Sequence, residues 1–454
     1  MRLRALLLIG ACLAASSVAR ADFMVSNKPT HDVSCVSKVC SPTAQNANLN
    51  VSELTNMLAS SDTTLKSGNG AIDIQMRDRF SWKSANRLGL DAAHSIEFYE
   101  PITVAGKGAL TISYNERGSG GDLYFFERGR VYFRNQKSNL VINFVTYSLV
   151  GDIATLATNI EENPTGAFAL VADYDAFADG GYSRCPIDRF SGILEGLGHH
   201  IQNLTVKGYG GFFCDLAGAV VRDLALANVD IRGSDDVRGA LADVAARVYK
   251  GADTSIVAVS VSGRVAGEET IGGLVGRLLH GEIVRSHSDA TVISKGNGAG
   301  GLVGLFSGGL VDQSYSTGAV AAGGAAGGLV GTTGKMRQLI SNSFATGTVK
   351  GTLAGGLVGA LGHGRPKKSY SAASIQGSGG GVIGSNEGRM RQIYWDLNTS
   401  GKANGCGSGD CSGATGLTDV QLKAGLPQGF DPKIWGSDPN INNGYPYLRA
   451  NPPQ

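Results

Sequence analysis

One motif constrains the fold of this chain more than any other feature. Gly272-Gly273-Leu274-Val275-Gly276 recurs at residues 300–304, 327–331 and 355–359, and a looser copy, Gly380-Gly381-Val382-Ile383-Gly384, follows. The starts are 28, 27, 28 and 25 residues apart, and Gly239-Ala240-Leu241-Ala242 is a fainter precursor. Other columns keep step with the motif. A small residue, usually serine, precedes an aromatic-type position at Ser286-His287, Ser314-Tyr315, Ser343-Phe344 and Ser369-Tyr370, and the last copy reads Ile393-Tyr394. Ile283, Val311, Ile340, Pro366 and Met390 lie three residues before that column; Val292, Val320, Val349 and Ile375 lie six after the serine.

A unit of this length cannot bury its apolar face alone, but stacked copies can. Alternating apolar positions bounded by glycine read as two or three short strands per unit. Each strand then pairs in parallel with its equivalent one coil on, about 4.8 Å away. The expected fold is all-β: a parallel β-solenoid with short helical insertions and a C-terminal cap. Parallel stacking is expected from about Thr111 to Trp395, with Val292, Val320, Val349 and Ile375 in one internal ladder. The double glycine is expected where a corner turns tightly or backbones approach closely.

Composition agrees. Glycine supplies 67 of 454 residues, yet it lacks a three-residue period and only 12 prolines accompany it, which excludes collagen. A hydrophobic fraction of 42% argues against disorder. The net charge of +2 selects no class of partner.

Arg2 and Arg4, an apolar run from Ala5, and Ala19-Arg20-Ala21 read as a signal peptide over residues 1–21, so the exported chain begins at Asp22. Cys12 after Ile9-Gly10-Ala11 offers a lipoprotein alternative, but leaves an apolar core of only about five residues, below the expected range. No later stretch is long and apolar enough to span a bilayer. Export puts the six remaining cysteines in an oxidising compartment. Cys185 and Cys214 are 29 residues apart, close to one coil, and residues one coil apart meet disulfide geometry. Cys35 with Cys40, and Cys406 with Cys411, are each five apart and suit local bridges.

Five segments follow: the signal peptide (1–21), an N-terminal region leading into the solenoid (22–100), irregular coils (101–271), regular repeat coils (272–395), and a cap and tail (396–454). Residues 152–162 place Ile153, Leu156, Ala157 and Ile160 on one helical face. Ser52 can cap a turn carrying Leu54, Met57 and Leu58. Periodicity over residues 237–248 suits a helix, but alignment to the repeat favours strand. In the tail, Thr418 can cap a short helix carrying Val420 and Leu422, while Trp435, Tyr445 and Tyr447 supply bulky cover for the last coil.

The GGLVG motif with its Ser-aromatic column resembles the GLUG repeat of bacterial surface proteins. Residues 190–204, Gly210-Gly211-Phe212-Phe213 and Val221-Arg222-Asp223-Leu224 resemble the coils of filamentous-haemagglutinin-like adhesins. So do residues 50–60, Ser81-Trp82-Lys83-Ser84-Ala85-Asn86 and 102–110. Tyr394-Trp395-Asp396 and Gly444-Tyr445-Pro446-Tyr447-Leu448 resemble the ends of those proteins. The resemblance covers roughly residues 49–449 and implies a right-handed parallel β-helix with an adhesive role at the cell surface. Nothing resembles their amino-terminal secretion domain, and residues 451–454 lack the terminal aromatic strand of a membrane barrel. Periplasm, cell surface and medium therefore all stay open as compartments.

The function expected is binding or adhesion, without catalysis, cofactor or metal. The alternative is a polysaccharide lyase or hydrolase, which is analogy of fold. Glycosidases need two facing carboxylates, and residues 327–395 hold one acid, Glu387. Upstream, Asp188 and Glu195 flank a strand near His199 and His200. Asp173, Asp175 and Asp179-Gly180 hint at a calcium loop, but Phe177 and Ala178 stand where an EF-hand needs an oxygen ligand and glycine. Residues 327–395 also hold eight basic residues. Lys335, Arg337, Arg365, Lys367, Lys368, Arg389 and Arg391 precede the serine column in successive coils, and stacking gathers them into a stripe. Arg285, Asp312 and Gln313 make the same positions polar in the first two coils, which favours an ordinary solvated face; the binding alternative is a polyanion, an acidic polysaccharide, lipopolysaccharide or host surface, rather than nucleic acid.

Overall fold

The computed structural model describes residues 22–248 and 251–453; the signal peptide and Cys12 lie outside them. Short parallel strands stack into a β-solenoid of about 14 turns. A regular coil runs Gly298–Gly300, Val303–Phe306, Gly309–Asp312, Tyr315–Ser316, Val320–Ala322. The next coil repeats this in register: Gly300 meets Gly327, Val303 meets Val330, Val311 meets Ile340, and Tyr315 meets Phe344. Val292, Val320, Val349 and Ile375 form the expected buried ladder.

The double glycine sits at a corner, a bend between strands of two different sheets, and there backbones also approach closely. A Cβ on Gly300 would fall 2.0 Å from the Val303 carbonyl oxygen, and one on Gly328 would fall 2.1 Å from that of Gly356. Another corner is turned by left-handed residues just before the serine column: Arg285, Gln313, Asn342, Lys368 and Gln392, with φ of 45–55°.

That turn accounts for the serines. It leaves a backbone N–H facing the next coil with no ladder partner, and the next serine side chain accepts it. Ser286 N donates to Ser314 Oγ (3.1 Å), Ser314 N to Ser343 Oγ (3.2 Å), and Ser343 N to Ser369 Oγ (3.0 Å). Each hydroxyl donates to the carbonyl two residues before it. Replacing Ser343 with alanine should therefore strand a buried N–H and cost about 1–3 kcal/mol, measured by urea unfolding.

The aromatic column stacks outside the coil interior. Ring centroids of His287, Tyr315, Phe344 and Tyr370 are 4.7, 4.7 and 5.1 Å apart in sequence order, within 6° of parallel. The tail covers this flank. Phe430, Trp435, Tyr445 and Leu448 pack on it. The tail runs back along the stack, so Tyr394 donates to the Gln428 carbonyl, Tyr370 to that of Pro446, and Asn451 to that of Ser286. Trp435 and Tyr445 thus cover the side of several coils rather than the open end expected of a cap. Thr418 caps the helix Asp419–Lys423 with a reciprocal Gln421 contact. Leu422 is buried, but Val420 is 77% exposed.

Stacking begins at Asp22, earlier than the expected Thr111: Asp22–Ser26, Asp73–Met76, Ile96–Phe98 and Leu123–Phe125 pair in parallel. These coils lack the glycine motif and carry their own buried cluster. Asn50, not Ser52, caps the helix Val51–Ser60. The N-terminal stack ends in a hairpin, where Asn139–Ile142 pairs antiparallel with Val145–Val150. Its two-residue loop is Asn143-Phe144, both at positive φ as a type I′ turn requires. A second stack starts there, with Ser148 to Val150 parallel to Phe168 to Leu170. Asp152 caps the intervening helix Ile153–Glu162, and Ile153, Leu156 and Ile160 are buried. Residues 237–248 contain strands Val237–Gly239 and Ala242–Ala246.

All three disulfides are formed. Cys185 and Cys214 lie in successive coils, with Cα atoms 5.6 Å apart. Cys35–Cys40 and Cys406–Cys411 are local. No helix of the described residues is long and apolar enough to cross a membrane.

Candidate functional site

Where the two stacks and the end of the tail meet, they enclose a cleft of about 550 Å³. One wall is the segment 124–130 of the N-terminal stack. The other is built from coil residues His200, Asp223 to Ala225, Ala258, Ser260, Arg285 and His287, and residues 450–453 close one side.

Beside the cleft, reaching it through Asp223 and Arg285, is a buried charge cluster centred on Arg222. Its guanidinium donates to Asp223 Oδ2 (2.6 Å), Asp122 Oδ1 (2.9 Å) and the Tyr114 hydroxyl (2.9 Å), and lies 3.4 Å from Glu195 Oε2. Arg285 also pairs with Asp122. Asp122 belongs to the first stack and both arginines to the second, so this one carboxylate ties the two together. Burial, then the neighbouring Asp223 charge, pushes the Glu195 carboxyl well above its ordinary range. Burial raises Asp223 too. For Asp122 the same burial penalty is outweighed by Arg222 and Arg285, and its carboxyl sits below the usual value.

On the rim, Arg130 donates to His200 Nε2 (2.7 Å). Burial and that guanidinium lower the His200 pKa, which favours the neutral ring. Asp173 accepts from the His200 backbone N–H, from His199 and from the Tyr132 hydroxyl. These donors, with Arg130, outweigh its burial and hold it well below the carboxylate range. His199 is fully buried, and its Nε2 donates to the Val131 carbonyl, so it acts as a strut between stacks. His287 is pressed to about 4 by burial and faces Asn451 of the tail at 3.0 Å. The cleft sets donors at Arg130, His200 and Ser260 against apolar walls at Phe125, Phe126, Leu224 and Pro452, which suits a ligand with polar and apolar parts.

Of the acids singled out in the sequence, Glu195 belongs to the buried charge cluster beside this cleft without lining it. Asp188 does not: it is exposed, on another sheet face, and pairs with Arg184 at 2.8 Å. Asp173, Asp175 and Asp179 do not converge. Asp173 holds the histidines, Asp175 caps a single turn through Phe177 N, and Asp179 accepts from Tyr174 and Tyr182. The basic stripe lies elsewhere, on the corner before the serine column. Lys335, Arg337, Arg365, Arg389 and Arg391 are exposed there, with Lys367 and Lys368 half-buried. Sequence reasoning missed Asp122, Arg130, Arg222 as a charge centre, and Arg285. Residues 122 and 285 are 163 apart, and no periodicity links them.

The chain matches no model of a known protein family. It is 32% identical over 237 residues to an immunoglobulin A1 protease of Streptococcus sanguinis, covering 48% of this chain and 12% of that protein. An immunoglobulin A1 protease of Streptococcus pneumoniae serotype 4 is 31% identical over 204 residues, covering 42% and 9%. The chain therefore spans about an eighth or less of the curated relatives' length. Among solved structures, a candidate immunoglobulin A1 protease from Bacteroides ovatus aligns over 67% of this chain and 93% of that one, at 19% identity and a TM-score of 0.48.

These relatives correct one expectation. The sequence reading set catalysis aside, whereas the relatives bear the name of a protease. The reason is one of scope: scarce acids in residues 327–395 bear on glycosidase chemistry in those coils, and not on peptide-bond chemistry.

Proposed function

We propose that this chain is an exported β-solenoid of an immunoglobulin A1 protease-like protein, and that it engages the substrate to be cleaved. The observation behind this reading is the 32% identity over nearly half of the chain to a protein of that name. The cleft between the stacks is the surface assigned to substrate, because it combines donors with apolar walls in a concave site. An adhesive role, which the likeness to filamentous-haemagglutinin-like proteins implies, uses the same property: a rigid repetitive scaffold presenting a fixed surface.

The test is to expose immobilised chain (residues 22–454) to immunoglobulin A1, with immunoglobulin G as comparator, and to follow binding and heavy-chain fragments. Immunoglobulin A1 should bind or be cut selectively. Arg130→Ala with His200→Gln should weaken binding by roughly tenfold or more, equal to about 1.4 kcal/mol. Absence of both binding and cleavage would overturn the proposal.

A further inference from the structure

Two lysines elsewhere on this solenoid are matched by acids one coil away. Lys66 pairs with Asp91 one coil on at 2.6 Å, and Lys295 pairs with Glu268 one coil back at 2.7 Å. The stripe differs from these. Lys367 and Arg391 are register partners on adjacent coils. Arg389 N donates to the Gly364 carbonyl just as Arg391 N donates to that of Pro366, which sets Arg389 beside Arg365. The chain alternates outward and inward about buried Pro366 and half-buried Met390. Four cations therefore form a two-by-two block, two per coil, on coils about 4.8 Å apart.

Like charges directly opposite one another on neighbouring strands repel. Among the described residues no carboxylate pairs with any of the four. Asp312, two coils back in the column of Lys367, is already taken by Ser341 (2.5 Å) and Asn342 (2.9 Å). Lys335 and Arg337 belong to the coil before but lie outside these two columns, whose positions there are Leu339 and Ser341.

We infer that this block binds an acidic polysaccharide laid along the solenoid axis. A linear chain with anionic groups at intervals meets a fresh pair of cations on each of these two coils without bending, because the surface is itself quasi-one-dimensional. A compact anion would use one pair and leave the rest unmatched. Single-stranded nucleic acid is bound by stacking its bases on exposed aromatic rings. The nearby rings, Phe344 and Tyr370, are covered by the tail. The block lies apart from the cleft and does not depend on the immunoglobulin reading.

The experiment uses the chain from residue 22 to 454 on a heparin column developed with salt. It compares the parent, the fourfold variant Arg365→Ser, Lys367→Ser, Arg389→Ser, Arg391→Ser, and a control losing four exposed lysines elsewhere: Lys28, Lys107, Lys137 and Lys433 to serine. The parent should be retained, with salt-dependent elution. The fourfold variant should bind heparin at least about tenfold more weakly in solution at physiological salt, and the control should match the parent. Arg389→Ser with Arg391→Ser alone should fall between, which guards against misfolding of the larger variant. Co-elution of the fourfold variant with the control overturns the inference. So does retention of the parent by single-stranded DNA but not by heparin.

Discussion

Replacing Arg222 with methionine should destabilise the protein by roughly 3–5 kcal/mol, because removing one partner of a buried ionic cluster leaves the others uncompensated. Three carboxylates surround that guanidinium, and Glu195 and Asp223 are nearly inaccessible to solvent. The loss should depend on pH with a definite sign. Glu195 and Asp223 have folded-state pKa values raised above their unfolded values, by burial first. Such groups favour the folded state at low pH, and that contribution fades as pH rises through the folded-state pKa. Without Arg222 the opposing cation is gone, so the deficit against the parent should be larger at pH 8 than at pH 4. Asp122 has the opposite sign, its pKa being lowered, but it retains Arg285. Urea unfolding of parent and variant at both pH values checks this. An equal deficit at the two pH values would show that Arg222 acts through packing alone.

Gly328→Ala should be as damaging, at about 3 kcal/mol or more, for a different reason. The added methyl would sit 2.1 Å from the Gly356 carbonyl oxygen and 2.6 Å from the Ala345 Cβ. The oxygen belongs to the backbone of the next coil and cannot rotate away, so relief requires the stack itself to part. Gly68→Ala is the matched control: nothing lies within 4 Å of its Cβ position, and the change should stay within about 0.5 kcal/mol. Melting of the three proteins side by side separates loss of coil contact from loss of glycine flexibility.

The regular coils were legible because each coil writes its neighbours' requirements into its own sequence at a fixed interval. The valine ladder through Val320 and Val349, the buried leucines of the motif and the Cys185–Cys214 bridge all follow from one period. The serine column was visible, but its role was not. It depends on a left-handed residue such as Gln313 or Asn342, and those positions share no residue type. The N-terminal stack was placed too late because its columns, Ile74 to Ile96 and Met76 to Phe98, are too few and too mixed to reveal a period.

By itself, the sequence determined the architecture of one stack: which residues face inward, which pair one coil on, and where glycine is obligatory. Those are contacts between residues 25–29 positions apart, and stacking of like on like enforces a repeat that can be read. Only the tertiary structure decided that there are two stacks, that the hairpin at Asn143-Phe144 joins them, and that the tail lies back along the aromatic flank. The cleft exists because of those three choices. The pairs that line it or stand beside it, Asp122 with Arg222 and Arg285, or Asn451 with His287, are 100 to 164 residues apart. Contacts of that kind are made once, by surfaces meeting, and a contact made once imposes no period.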